Sequence, residues 1–508
     1  MKQNAKIKEI EDLAELLASF RAENKTIVHC HGVFDLLHIG HIRHFEQAKR
    51  LGDILAVTVT PDRYVNKGPH RPVFSEDLRA EAIAALDCVD YVAINRWSMA
   101  VEAIELLRPA FYVKGSDYKE AEKDYTGGIT LEEAAVKSVG GRLAFTDDIV
   151  FSASSLINRH LPVFPKEVSD YLARFSATYS LNSVLSHLKD ACSLKVLVIG
   201  ETIIDEYEYC ETIGKSGKEP ILAARYVSSE KFAGGILAVA NHVAALCDRV
   251  GLLTYLGALD SQEDFIREML SPRIDKMFLY LENAPTIVKR RFVELYPLQK
   301  LFEIYVMNGK EGGSTTSHTL CARLREVLPK YDIVIVTDYG HGMLGPEAVD
   351  LLCNEARFLA VNTQVNADNH GFNTVSKYHR ADYICVSESE IRLDSRSRHR
   401  GLREIVLEVA EKVSCERILI TRGQQGCLCY SKGEGFFEVP AFAVRVIDRV
   451  GAGDAVLAVT ALCVARKVPM EVVGLIGNAV GAQAVATVAH RNPIDRVALF
   501  KQIESLLK

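Results

Sequence analysis

The chain has 508 residues, 48% hydrophobic and 25% charged, with a formal net charge of −6. That length exceeds what one hydrophobic core organises, so two or more domains are expected, and the acidic balance without a long basic run excludes a general nucleic-acid binder while allowing local anion pockets. The twelve cysteines are scattered singly apart from Cys427 and Cys429. With no CxxC pair, no signal-peptide pattern and no long apolar run, they predict a reduced, cytoplasmic protein without membrane insertion.

Apolar runs at Thr26–Cys30, Ile54–Val59, Val89–Ile94, Phe111–Val113 and Arg142–Phe145 alternate with helical stretches such as Ile42–Leu51 and Ser75–Leu86. Such alternation predicts a parallel α/β sheet. Between His160 and Leu194, Pro162, Pro165 and two amphipathic pieces, Val168–Phe175 and Leu181–Ala191, read as a helical linker. A second alternating series follows at Lys195–Ile199, Asp332–Thr337, Phe358–Val361, Tyr383–Val386 and Arg417–Thr421, then long helices. The expected division is a domain over residues 1–160, a linker over 161–193 and a domain over 194–508.

Behind the first strand stands His31-Gly32-Val33-Phe34-Asp35-Leu36-Leu37-His38-Ile39-Gly40-His41. Residues three apart share a helix face, and the first turn of a helix offers unpaired N–H groups and a positive dipole end to an anion. With Gly32 letting the backbone approach a ligand, the segment is predicted to stabilise charge on a nucleotide's α-phosphate. Two histidines on a helix surface would give the same short pattern.

Near the C-terminus, Asp448-Arg449-Val450-Gly451-Ala452-Gly453-Asp454 precedes a predicted helix, Ala455–Arg466. The N–H groups of Gly451, Ala452 and Gly453 form a nest suited to a transferring phosphoryl group, with Asp454 placed to take a proton from the attacking hydroxyl. On this motif alone, Asp454 as a plain helix cap is the alternative.

Further blocks extend the histidine motif. Lys67 and Arg71-Pro72-Val73 precede a helix carrying Arg79, Lys114-Gly115-Ser116-Asp117-Tyr118 follows the fourth strand, and Phe151-Ser152-Ala153-Ser154-Ser155-Leu156-Ile157 closes the half. In this order the blocks resemble the cytidylyltransferase-like nucleotidyltransferases, which join a nucleoside triphosphate to a phosphorylated alcohol or sugar and release pyrophosphate. The resemblance implies that His38 and His41 contact the transferred phosphate, that Lys67, counted with them as catalytic, and Arg79 offset the charge of the triphosphate, and that Gly32, Phe34, Ser154 and Ser155 bind nucleotide or triphosphate. It also implies that Asp35, Lys114 and Asp117 face the sugar phosphate. Class I aminoacyl-tRNA synthetases share the HIGH-like motif, but no KMSKS-like loop or basic, aromatic-rich appendage follows it. Neither glycine-rich strand end carries the GxGxxG of a dehydrogenase.

The second half resembles the ribokinase-like carbohydrate kinases from end to end. Val196-Leu197-Val198-Ile199-Gly200-Glu201 leads to Asp205, which by resemblance grips a sugar hydroxyl. Gly234, Gly235, Asn241 and Asp338 fall on the substrate side, Thr421 and Gly423 beside the nucleotide, and Asp454 takes the role of base behind Gly451, Ala452 and Gly453. Two blocks depart from the pattern. Asn362-Thr363-Gln364-Val365-Asn366 stands where an Asp-Pro-Lys-like segment is usual, which bears on substrate identity. Ser387-Glu388-Ser389-Glu390 stands where Asn-x-x-Glu is usual, so Glu390 keeps the carboxylate implied to organise magnesium while Ser387 replaces the Asn.

Together the halves resemble the bifunctional heptose-7-phosphate kinase/heptose-1-phosphate adenylyltransferases with the module order reversed. The expected fold is α/β, with a Rossmann-like N-terminal nucleotidyltransferase domain and a ribokinase-like C-terminal domain. The expected chemistry makes a sugar 1-phosphate with ATP and Mg2+, then an NDP-sugar with ATP or CTP as nucleotidyl donor. Its partners are small-molecule sugar phosphates and nucleotides, in a homo-oligomer. The alternative is a CTP-dependent polyol-phosphate cytidylyltransferase fused to an inactive or regulatory sugar-binding kinase-like domain.

Overall fold

The computed structural model describes residues 5–65, 71–115, 128–146, 164–296, 298–307 and 314–508. Lys67, Asp117, Ser154 and Ser155 lie outside the described residues. The chain divides into unit 1, Met1–Lys166 with Phe500–Lys508, and unit 2, Glu167–Leu499.

In unit 1, β1 (Ile27–Gly32), β2 (Ile54–Val59), β3 (Tyr91–Ile94), β4 (Phe111–Lys114) and β5 (Arg142–Phe145) form one sheet. All neighbours pair in parallel, in the order β3-β2-β1-β4-β5. The strand order turns at β1, and ligands of open α/β sheets bind outside the carboxyl ends of the strands at such a point. One face buries Val28, Cys30, Leu55 and Val57 against Phe45 and Ala48 of the helix Ile39–Lys49. The other buries Ile27, Ala56 and Ala93 against Ile10, Leu13 and Leu17 of the helix Ile10–Ala22. Burial on both faces explains why these strands read as unbroken apolar runs. The apolar alternation begins at about residue 26 and so leaves out that first helix.

Unit 2 carries a nine-stranded sheet. Its strands are β6 (Lys195–Gly200), β9 (Arg249–Gly257), β10 (Ile274–Leu281), β13 (Ile333–Asp338), β14 (Leu359–Thr363), β15 (Tyr383–Ser387), β16 (Arg417–Thr421), β17 (Cys427–Ser431) and β18 (Gly435–Val439). The order is β10-β9-β6-β13-β14-β15-β16-β17-β18, parallel as far as β16 and antiparallel beyond. A second sheet, in the order β12-β11-β7-β8, is built from β7 (Thr202–Lys215), β8 (Leu222–Gly235), β11 (Ile287–Glu294) and β12 (Gln299–Val306). None of its strands was expected. Charged residues recur through it, and half of β8 and most of β12 are exposed, so no apolar run marks them.

The helices Lys166–Thr178 and Leu181–Ala191, read from sequence as a linker, fold into unit 2. They bury Tyr171, Phe175, Val184 and Leu188, and the ring of Tyr171 lies 6.3 Å from that of Phe442. Among the described residues, no helix is long and apolar enough to cross a membrane.

Candidate active sites

In unit 1 the carboxyl end of β1 runs directly into the histidine motif. His38 is the N-cap of the helix Ile39–Lys49, and its Nδ1 accepts the N–H of Gly40 at 3.1 Å. A neutral ring that accepts at Nδ1 carries its proton on Nε2, which makes Nε2 a donor. His41 stacks on His38 with ring centroids 3.9 Å apart. Burial lowers the pKa of His38, which favours the neutral donor. Phe34 adopts a left-handed backbone, φ +49, and its ring meets Phe45 at 5.0 Å and the edge of His41 at 5.4 Å. A Cβ on Gly32 would lie 2.9 Å from that ring. Gly32 therefore admits Phe34, and Phe34 supports His41; the space over Gly32 expected to receive a ligand holds this ring.

The other unit 1 residues divide by what their side chains already hold. Asp35 is buried, accepts from Arg71 Nη1 at 3.0 Å and from the N–H of Val73, and so fixes the segment that follows residue 70. Arg79, expected to offset triphosphate charge, is buried. Its guanidinium donates to the carbonyls of Phe74, Val33 and Thr60 and to Asp62, tying together the ends of β1 and β2. Lys114 pairs with Glu132 at 2.9 Å. A chain missed in the sequence runs behind the motif: His29 Nε2 meets the Thr58 hydroxyl at 2.7 Å, the same hydroxyl meets His31 Nδ1 at 2.8 Å, and His31 Nε2 meets the Thr60 hydroxyl at 3.2 Å. Burial lowers the pKa of both histidines.

In unit 2 the helix behind the glycine motif starts at Ala452, three residues ahead of the expected Ala455, so Ala452, Gly453 and Asp454 belong to its first turn. Gly451 is the left-handed N-cap, φ +79, of the helix Ala452–Ala465, and Asp454 lies buried in the first turn. Tyr339 Oη donates to Asp454 Oδ1 at 3.0 Å and Gln364 Nε2 reaches the same oxygen at 3.3 Å. Burial pushes the pKa of Asp454 up to about 7, with the Tyr339 hydrogen bond opposing and the charges of Asp205 and Glu390 adding to the rise. A carboxylate poised near neutrality suits a general base. Gln364 belongs to the departing block, so that block forms the wall behind Asp454. Asn366 Nδ2 also donates to the Tyr339 carbonyl at 2.7 Å.

Asp205 is buried on β7 and ion-paired with Arg291 of β11. In the β7–β11 register Asp205 stands opposite Lys289, a buried lysine whose Nζ lies 4.9 Å from the Tyr305 ring centroid and 5.9 Å from that of Tyr339. A Cβ on Gly234 would lie 2.1 Å from Asp205 Oδ2, so any side chain there would displace that carboxylate. Gly235, φ +54, starts the helix Ile236–Leu246. Asn241 on that helix was expected to face substrate. Its amide instead donates to the Met269 carbonyl at 3.0 Å and accepts the Ser271 N–H at 2.9 Å, which spends it on a turn.

Asp338 accepts from Tyr378 Oη at 2.7 Å and pairs with Lys377. Glu201 receives the N–H groups of Tyr339 and His341, each at 3.0 Å, and its pKa is pushed up to about 7 by burial and then by Asp338. The two acids thus shape the loop that aims Tyr339 at Asp454. Thr421 lies opposite Ser387 in the β15–β16 register, which brings the nucleotide-side block with Gly423 beside the Ser387–Glu390 block. Glu390 accepts the Ser387 N–H at 2.7 Å in a capping box, and burial raises its pKa. Among the described residues no three His, Cys, Asp or Glu side chains gather to hold a metal. This donor set fits a magnesium ion carried on nucleotide phosphates, which needs only one or two protein carboxylates.

Residues 193–496 match the pfkB family carbohydrate kinases, more than half of the 508-residue chain. The chain belongs to that family. Ahead of the pfkB segment, residues 29–160 match the cytidylyltransferase-like family, so the transferase-like module precedes the kinase module as expected. The N-terminal part is similar to the bifunctional protein HldE of Syntrophotalea carbinolica, 38% identical over 149 residues, which is 29% of each chain. It is also similar to that of Geobacter sulfurreducens, 36% identical over 169 residues, 32% of this chain and 33% of the relative. The chain thus spans about a third or less of the length of these relatives. Among solved structures, Arabidopsis thaliana ribokinase complexed with ribose and ATP is 16% identical, with 62% of this chain and 99% of that one covered at a TM-score of 0.46. Escherichia coli phosphofructokinase-2 in complex with potassium is 15% identical, with 61% and 99% covered at a TM-score of 0.49.

Proposed function

We propose that this pfkB-family chain activates a sugar in two steps. In unit 2 Asp454 takes the proton of a sugar or sugar-phosphate hydroxyl, the freed oxygen attacks the γ-phosphorus of ATP, and ADP leaves. The backbone nest at Gly451–Gly453 receives the transferring phosphoryl group. Magnesium, when bound, neutralises phosphate charge, with Glu390 the carboxylate on that side. In unit 1 an oxygen of the resulting sugar 1-phosphate attacks the α-phosphorus of ATP or CTP. His38 and His41 donate to the charge that develops, and pyrophosphate leaves. A heptose 7-phosphate is the proposed kinase substrate, on the resemblance of the two halves together to the heptose-7-phosphate kinase/heptose-1-phosphate adenylyltransferases.

One observation carries this reading: a buried carboxylate held near neutrality at the first turn of a glycine nest shares its chain with a paired-histidine helix cap at the end of a parallel strand. The two steps separate by mutation. Asp454→Asn is expected to abolish sugar phosphorylation while pyrophosphate release from supplied sugar 1-phosphate continues, and His41→Ala to do the reverse. Retained phosphorylation in Asp454→Asn removes the base assignment. A second reading, in which unit 2 only binds a sugar, is favoured by the pairing of Asp205 with Arg291, and absence of ADP formation with every sugar or sugar phosphate supplied would select it.

A further inference from the structure

Between the two carboxylates of unit 2 stands a residue that no motif pointed to. His490 Nε2 lies 3.8 Å from Asp205 Oδ2 and 3.9 Å from Asp454 Oδ2, beyond hydrogen-bond length from either. Its side chain is 4% exposed. The ring also presses on the nest, for a Cβ on Gly451 would lie 1.8 Å from His490 Cε1. The neighbouring ring of His242, 6.2 Å away, differs in being tied to the backbone, for its Nδ1 accepts the Ile494 N–H at 3.0 Å.

The turn that delivers His490 is anchored on both sides. Ala489 adopts a left-handed backbone, φ +44, and gives its N–H to Asp448 Oδ2 at 3.2 Å. Arg491 Nε donates to Glu230 at 3.0 Å. A non-glycine residue held in that region costs free energy, so the surrounding contacts impose the turn. The imidazole thus fills the ground common to Asp205, Asp454 and Gly451, where an acceptor hydroxyl in line with a phosphoryl group on the nest has to stand.

We infer that His490 is a side-chain stopper of the phosphoryl-transfer pocket, which keeps water from Asp454 while no acceptor is bound and turns aside when an acceptor hydroxyl enters. This rests on the kinase reading of unit 2. Without a stopper, water takes the acceptor's place: its oxygen attacks the γ-phosphorus, Asp454 takes its proton, the bond to the β-phosphate oxygen breaks, and ADP and inorganic phosphate leave. Exclusion of water is a recognised means of suppressing this side reaction.

The test uses the full chain with Mg2+ and ATP and no sugar, with inorganic phosphate release followed separately from pyrophosphate. His490→Ala and His490→Ser are expected to raise acceptor-independent phosphate release at least about tenfold, and adding Asp454→Asn is expected to cancel the rise. Circular dichroism establishes that each variant is folded, and protection of unit 2 amides from hydrogen exchange by a non-hydrolysable ATP analogue establishes nucleotide binding at the kinase site. A folded, analogue-binding variant that hydrolyses ATP no faster than the parent chain overturns the stopper alone. If neither the parent nor the variants bind the analogue in unit 2, the kinase reading fails and the stopper fails with it.

Discussion

The phenol of Tyr339 donates to the same carboxylate oxygen of Asp454 that the amide of Gln364 approaches, at 3.0 and 3.3 Å. The Tyr339 bond favours the ionised acid and opposes the burial that pushes Asp454 up to about 7. As a base, Asp454 works only when ionised, so kinase kcat/KM is expected to fall as pH drops through about 7. Tyr339→Phe should move that acid limb to higher pH by roughly one unit, the worth of one hydrogen bond to a charged group. Gln364→Glu should move it the same way by setting a second carboxylate beside the first. A pH–rate profile across roughly pH 5 to 9 reads both, and an unmoved limb in Tyr339→Phe refutes the assignment.

Asp454 and Glu201 also make a prediction about stability. Both are raised in the folded chain, to about 7, so folding binds protons more tightly than the unfolded chain does. Their contribution is fully present below the ordinary carboxylate range and is lost as pH rises through about 7. Asp454→Asn removes a buried acid that must ionise at alkaline pH. Its melting temperature relative to the parent chain is expected to rise by a few degrees near pH 8 and by less near pH 5, by scanning calorimetry.

Unit 1 has the opposite dependence. Burial lowers His29 to about 3 and His44 to about 4, and lowers His31 as well. Their unfolded forms take up protons below the usual histidine pKa while the folded forms do not. Stability is therefore lost as pH falls from about 6.5 toward the folded values, at up to about 1.4 kcal/mol per histidine per pH unit. Pyrophosphate-releasing activity should be inactivated by urea at a lower midpoint near pH 5 than near pH 7. His29→Gln should narrow that difference.

Gly234→Ala tests whether the two chemistries are independent. Its Cβ would meet the Asp205 carboxylate at 2.1 Å, forcing that group away from Arg291 and from the pocket. Sugar phosphorylation should fall by about 100-fold or more, as a misplacement of about 1 Å in a positioned group does. Pyrophosphate release from supplied sugar 1-phosphate should stay within about twofold of the parent chain.

Arg79→Ala should act on folding ahead of catalysis. Three carbonyls and Asp62 lose their donor at a site that is 1% exposed. The expected cost is about 3–5 kcal/mol in chemical denaturation followed on unit 1. A loss of pyrophosphate release with unchanged stability would instead place Arg79 on the triphosphate.

Much of the fold was legible because buried parallel strands leave an unbroken apolar trace. β2, β5 and β16 begin and end on the residues expected from sequence. The sheet of β7, β8, β11 and β12 left no such trace, because its half-exposed strands mix charged and apolar residues and are recognised only once they pair. Site residues followed the same division. Gly451, Asp454, His38 and His41 stand in short segments where backbone geometry and side chain work together. Arg291 and His490 come from stretches that carry no motif, and Gln364, visible in sequence only as part of a departing block, meets Tyr339 at Asp454 only in the folded chain.

Sequence by itself determined the two α/β modules, their order, and the segments proposed to hold phosphate, since each depends on apolar periodicity or on a local run of glycine, histidine and aspartate. Only the tertiary structure decided what those segments face. It turned Arg79 and Asn241 inward to hold loops, covered Gly32 with Phe34, and set Tyr339, Gln364 and His490 around Asp454. The reason is physical: a hydrogen bond or a displaced water depends on distances of a few ångströms between residues up to hundreds of positions apart. Such distances exist only after the strands have paired.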